Sequence, residues 1–342
     1  MAASYQAGTA SSPVDLLQKI ITWLVAQGWT IDFNAAEGSG WRAHLHKSGI
    51  YTNMRAAMDE RIWPALPSGY HDSDAGYGIG LYLGDGHDGG DPWNEQVGGP
   101  QRADGSTAGC GMNLPSGPVA AYHFFDDGSN HIAIVVERAP GIFCHMGWGP
   151  SMVKMGFSAN YWYFFGSSSA YRNVVDATLP GDRRGITISA APPMAHSDRD
   201  PASQTPNYGD QVHANAFVRV DAAVFTSRWV SNAGYVWGGY GWTGRYMRCA
   251  LNLTTAAVEE GQYPCYRYIE GRAHQVAFAG APLLPLHCFV LTDPGARWAP
   301  LGFPPSVLWC DGVGHGYAKS EIYQVGGLDY MLFPHFAVRK AA

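Results

Sequence analysis

Charge is scarce in this sequence. Lys, Arg, Asp and Glu make up 15% of its 342 residues, where about a quarter is usual. The cationic residues are scattered, the formal net charge is −6, and no basic stripe accompanies the aromatics, so nucleic-acid binding has little electrostatic support. No apolar run reaches the roughly 18 residues of a membrane-crossing helix, which predicts no membrane span. The opening MAASYQAGTASS lacks a cationic start followed by an apolar stretch, so it does not read as a secretory signal. The six cysteines (Cys110, Cys144, Cys249, Cys265, Cys288 and Cys310) form no CxxC pair. For a chain made in a reducing cytoplasm they read mostly as small buried hydrophobes, with neither disulfides nor a metal cofactor implied.

What is abundant points the other way. Aromatics reach 13% and there are 43 glycines, a combination that suits many short strands joined by tight turns. With little charge to blunt strand edges, such a surface is best tolerated when much of it is covered by partners.

One helix is clear. Ser12 is a capping residue, Pro13 suits the first helical position, and Asp15 follows at the third; Leu16, Leu17, Ile20, Ile21, Leu24 and Val25 then recur at helical spacing up to Gly28. This predicts a helix that ends by about Gln27 and lies on a sheet. Beyond it the period changes to two. Trp29, Ile31 and Phe33 alternate with polar residues, as do Trp41, Ala43 and Leu45, and further strands fall at Ile50–Met54 and Ile79–Leu83. A meander follows: Tyr122–Phe125 and His131–Val136 flank the turn Asp126-Asp-Gly-Ser-Asn130, and a turn at Pro140-Gly141 leads into Ile142–Gly147 and then Tyr161–Phe165. Apolar runs at Leu283–Leu291 and Val307–Trp309 precede a hairpin of Ile322–Val325 and Tyr330–Phe333. The expected fold is all-β, mainly an antiparallel sandwich or meander, with one N-terminal α-helix and long loops. The chain divides into 1–178 (helix and meander), an extended loop or linker at 179–210, and a β half at 211–342 that can interlock with the first. Gly84–Gly117, poor in aliphatics, reads as a long loop that is functional or ordered by a neighbour.

The chemistry is weak by comparison. Cys144 and His145 cannot act together through adjacency, because neighbours on a strand point to opposite faces; a working thiol would need His123 or His131 from another strand. His44 and His46 lie two apart, so both rings face one side and could chelate an ion. Asp85, His87 and Asp91 offer further ligands in a flexible loop, without EF-hand spacing, and His71-Asp-Ser-Asp74 is similar. The solvated strand and polar turn are the favoured readings, so no metal is assigned. Gly84-Asp-Gly-His-Asp-Gly89 and Gly239-Tyr-Gly-Trp-Thr-Gly244 match GxGxxG, but acids or bulky aromatics fill them and no helix is expected after the first. Asp59, Glu60, Glu95 and Glu137 carry no spacing that identifies a glycosidase, although the exposed aromatics expected at Tyr235–Trp242 would suit a sugar. The aromatics read as sheet builders, and no enzyme is expected.

Several stretches together carry a resemblance. They are Tyr122-His-Phe-Phe125, Ile132–Val136, Pro140-Gly-Ile-Phe-Cys-His-Met-Gly-Trp-Gly149, Lys154-Met-Gly156, the helix ending in Gly28-Trp29, and Gly326-Gly-Leu-Asp-Tyr330 with Phe333-Pro334. They resemble the packing pattern of virion structural proteins of tailed bacteriophages, in the head-to-tail and tail region. Val325 stands where that pattern has isoleucine, and Phe143 and Cys144 separate Ile142 from His145. The resemblance implies a virion protein made in the host cytoplasm. Its partners would be copies of itself in a ring or lattice and other virion proteins of the tail tube, neck, baseplate or capsid. A capsid decoration or head-completion protein, and a carbohydrate-binding receptor-recognition tail protein, are the alternatives. Gly84–Gly117, Leu179–Asp210 and Met1–Ser11 are the expected contacts between subunits.

Overall fold

The computed structural model describes residues 2–58, 78–100, 109–114, 116–151, 153–154, 162–169, 216–219, 229–231, 245–250, 283–285, 287–291, 298–310, 320–333 and 336–341. In chain order its elements are β1 Ser4–Ala10, α1 Pro13–Ala26, β2 Thr30–Glu37, β3 Gly40–Lys47, β4 Ile50–Ala57, β5 Gly78–Gly84, β6 Cys110–Asn113 and β7 Val119–Asp126. There follow β8 Ile132–Ala139, β9 Ile142–Gly149, β10 Val153–Lys154, β11 Tyr163–Gly166, β12 Ser168–Ser169, β13 Ala216–Arg219, β14 Trp229–Ser231 and β15 Arg245–Ala250. The last are β16 Leu283–Pro285, β17 His287–Leu291, β18 Trp298–Phe303, β19 Val307–Cys310, β20 Ile322–Val325, β21 Leu328–Leu332 and β22 Phe336–Lys340. Among the described residues the fold is mostly antiparallel β with a single helix near the N-terminus, as the sequence predicts.

Helix α1 starts where its cap chemistry dictates. The Ser12 hydroxyl accepts the Asp15 amide at 3.1 Å, and Pro13 occupies a position whose missing N–H costs nothing. The helix ends at Gln27, and Gly28 takes the left-handed conformation (φ 80°). Leu16, Leu17, Ile20, Ile21 and Leu24 are buried, but Val25, which shares the apolar spacing, is 42% exposed.

The described strands form three sheets. One has 11 strands in the order β1-β7-β8-β9-β11-β13-β14-β15-β17-β18-β10; one has six, β12-β6-β5-β4-β3-β2; one has five, β16-β19-β22-β21-β20. Strands from both sides of 179–210 share the largest sheet, with Tyr163 opposite Val218. The segment Met1–Ser11 is not a free arm. Its residues Ser4–Ala10 pair antiparallel with β7 of the same chain, Ser4 opposite Asp126.

Period two gives the largest sheet two buried faces. Phe124, Ile134, Met146, Trp148 and Phe164 point to one side, where they share a core with α1 and with Ala43, Leu45, Met54 and Leu81 of the six-stranded sheet. His123, Phe125, Phe143, His145 and Phe165 point to the other, against the five-stranded sheet. Phe333 meets Phe143 with ring centroids 5.3 Å apart, and Phe336 meets His145 at 5.0 Å. The molecule is thus a stack of three sheets with a helix wedged between the first pair. Burying these rings supplies about 2–3 kcal/mol each on an area basis.

Glycine sets the closeness of this stack. A Cβ at Gly147 would lie 2.5 Å from the Ile132 carbonyl oxygen and 2.6 Å from the Phe165 ring, and Gly166 and Gly111 let the backbones of β11 and β6 meet where two sheets approach. The β20–β21 turn, Gly326-Gly327, has φ of 58° and 78°, the all-positive pattern of a tight hairpin turn.

Candidate functional site

The outer face of the six-stranded sheet carries the most concentrated polar chemistry among the described residues. Arg42, His44 and His46 project from β3 on the side away from the core, which is the shared-face geometry expected for the two histidines. They do not converge on one ion. Arg42 Nε donates to His44 Nε2 at 2.6 Å, and the other ring nitrogen, Nδ1, donates to the Asn53 side-chain oxygen. Both ring nitrogens of that imidazole are therefore engaged, one as acceptor and one as donor. Burial, with the Arg42 charge and His87 beside it, holds His44 neutral and lowers its pKa to about 3. His46 turns instead to Asp32, Nδ1 to Oδ2 2.8 Å, and stacks on Tyr51.

The loop 85–100 closes over this face. His87 lies against His44, tilted by 32° with centroids 4.1 Å apart, and Phe33 meets His44 edge-on at 5.7 Å. Arg42 also donates to the Asp91 carbonyl and to Glu37, and lies 5.2 Å over Phe33. The organiser is Gln96. Its buried amide accepts the Asp88 N–H at 2.7 Å and donates to the carbonyls of Asp88, Asp91 and Pro92 at 3.1, 3.1 and 2.9 Å. The Tyr82 hydroxyl donates to the Pro100 carbonyl at 3.1 Å, and Trp93 packs on Ala57 and Tyr82. Asp85 pairs with Arg219, and the Trp229 indole donates to the Gly98 carbonyl at 2.8 Å. A segment with few aliphatics is thus ordered by its own chain, through one amide used as a four-way clamp. Of the expected ligands, Asp85, His87 and Asp91 come to the same loop, where Asp85 meets Arg219, His87 lies against His44, and the Asp91 carbonyl accepts from Arg42 and Gln96. Among the described residues no cluster of three or more metal-ligating side chains forms.

The cysteine and histidine that adjoin in sequence are separated by the sheet. Cys144 points into the helix-side core, where its cross-strand neighbour is Val136. His123, His131 and His145 all lie on the opposite face; His145 is opposite Val135, which is opposite His123. No thiol–imidazole pair can form there, and burial raises the Cys144 pKa. Glu137 accepts the Gly141 N–H at 2.9 Å and clamps a turn, while Glu95 is solvent-exposed. Gly84, Gly86 and Gly89 run through the loop and no helix follows them. Asp59, Glu60, His71–Asp74, Leu179–Asp210, Tyr235–Trp242 and Gly239–Gly244 lie outside the described residues.

Two features escape sequence reading. Gln96 has no motif around it. Asp127, in the β7–β8 turn, accepts the Ser129 and His131 amides at 2.8 and 3.2 Å and reaches across to the Ser306 hydroxyl at 2.8 Å. The Asp-Asp-Gly pattern signals the turn but not the distant serine.

No protein-family model matches this chain, and no curated protein matches it significantly. What the described surface does offer is strand edge. Among the strands that end the three sheets are β2 and β20. Ile31 at the first is 42% exposed, and Ile322 and Val325 at the second are 41% and 39% exposed, beside Leu328 at 38%.

Proposed function

We propose that this chain is a structural subunit of a tailed-phage virion, in the tail or neck region, acting by assembly with copies of itself and with other virion proteins. The observation that carries the reading is the pair of open edges. Edge strands in monomeric proteins are shortened, charged or covered, because unpaired N–H and C=O groups invite a further strand. Strand β20, Ile-Tyr-Gln-Val, has no charge and no proline, and apolar side chains stand out on both of its faces. A second copy that pairs there would cover Val325 and Leu328 and continue the sheet. Repetition of such a contact around a closed ring multiplies a weak interface into a stable one. The composition supports the same reading, as does the resemblance of the meander and the closing hairpin to virion proteins.

The test is the assembly state of the purified chain and of a variant carrying Ile322→Lys and Val325→Lys. Electron microscopy and native mass measurement should find closed rings for the parent and folded monomers for the variant. A parent that stays monomeric at every concentration, together with particles that lack it, would remove the proposal.

A further inference from the structure

The seam between the largest sheet and the five-stranded sheet is lined by buried histidines. His123, His131 and His145 are 8%, 6% and 3% exposed, on one face of the β7–β8–β9 ribbon. His145 sits edge-on to Phe336, and its Nδ1 has no hydrogen-bond partner among the described residues. His123 Nδ1 is bonded to the Tyr5 hydroxyl at 2.9 Å, and His131 Nδ1 to the Tyr163 hydroxyl at 2.9 Å. Strand β18 of the largest sheet runs through 304–306 into β19 of the five-stranded sheet. Ser306, in this connection, is the residue bonded to Asp127.

We propose that this seam is an acid-opened joint: protonation of its buried histidines separates the five-stranded sheet from the largest sheet. This goes beyond the assembly role and does not depend on it.

The charges around the seam decide the direction. From the largest sheet it is faced by Tyr5, by Tyr163 and by Asp127 in the β7–β8 turn; Glu137 lies at the far end of β8, bonded to the Gly141 amide. From the five-stranded sheet come Tyr330, Arg339 and Lys340, the last 4.8 Å over the Tyr5 ring. Asp127 favours a cation at His131 and Arg339 opposes it, but desolvation outweighs both and the His131 pKa is lowered. His145 meets phenylalanine rings, and burial lowers its pKa to about 3. An imidazolium there has no anion to meet. In the open form the ring regains its ordinary value of 6.5. Each pH unit below that value therefore favours opening by up to tenfold for His145 alone, or about 100-fold over two units.

Hydrogen exchange on the full chain reads this directly, at about pH 7.5 and about pH 4.5 after correction for intrinsic rates. The expected result is a loss of protection in β21 and β22 of about 100-fold or more, while β3 and β4 change much less. The variants His145→Phe and His145→Leu, each compatible with an apolar seam, should reduce that acid response. Equal loss of protection across all three sheets would overturn the proposal by making the acid effect global. So would an acid response in β21 and β22 that folded His145 variants leave unchanged. The comparison within the parent protein stands even where a variant fails to fold.

Discussion

Arg42 donates its Nε hydrogen to Nε2 of His44 at 2.6 Å, and this bond fixes which form of the imidazole the fold contains. A donor aimed at Nε2 requires that nitrogen to be bare, so the proton sits on Nδ1 and is given to Asn53. A histidine that reads as a metal ligand from its spacing is therefore a neutral relay between an arginine and an amide.

Acid should act on that relay. The folded-state pKa of about 3 lies below the ordinary 6.5, so the folded form resists protonation more than the unfolded chain does. The stabilisation is complete above pH 6.5 and is lost as pH falls toward about 3, at up to about 1.4 kcal/mol per unit. Urea melts across this range should show a stability that declines with acid, and His44→Leu should flatten part of that slope. The same variant should cost about 2–4 kcal/mol near neutrality, because Arg42 and Asn53 lose their partner.

Gln96→Leu keeps the volume of the clamp and removes its hydrogen bonds. The loop 85–100 should loosen, with a cost of about 2–4 kcal/mol for the orphaned carbonyls and amide. Limited proteolysis should cut near the exposed residues Asp88–Gly90, at a rate at least tenfold above the parent.

Gly147→Ala should be far worse than its single methyl suggests. The added carbon meets the Ile132 carbonyl at 2.5 Å and the Phe165 ring at 2.6 Å, and the backbone oxygen cannot rotate away. A loss of about 2 kcal/mol or more is expected in thermal or denaturant melts. Gly117→Ala is the control: nothing lies within 4 Å of its Cβ position, and its melt should match the parent.

Cys144 should be silent toward thiol reagents in the native protein. It is 3% exposed, its thiol pKa is raised by burial, and His123, His131 and His145 lie on the other face of the sheet. Peptide mapping after labelling should find Cys144 unmodified until the chain is unfolded. Cys144→Ala should leave any activity unaltered and cost about 1–2 kcal/mol through the small cavity.

How much of this was legible depends on which interaction fixes each part. Helix α1 was readable because Ser12, Pro13 and Gly28 act locally, within a turn of the residues they cap. The meander was readable because turns such as Asp126–Asn130 and Pro140-Gly141 join strands that pair with their sequence neighbours. Strand β1 was not, since Ser-Tyr-Gln-Ala-Gly-Thr-Ala has little alternation and owes its order to β7, more than a hundred residues away. The seam was hidden for a related reason. Alternation says that Phe143 and His145 share a face, but not that Phe333 and Phe336 will cover it. At the polar face, spacing placed His44 and His46 on one side correctly. It could not show that Arg42 and Asn53 would take up both nitrogens, because those bonds depend on strand register.

The central claim is that the chain builds a particle through contacts between copies, and antibody labelling of purified virions under the electron microscope tests it most directly. The account predicts label at one fixed place on every mature particle, at the tail or neck. Mature particles that carry no label, alongside abundant free protein in the lysate, would contradict it.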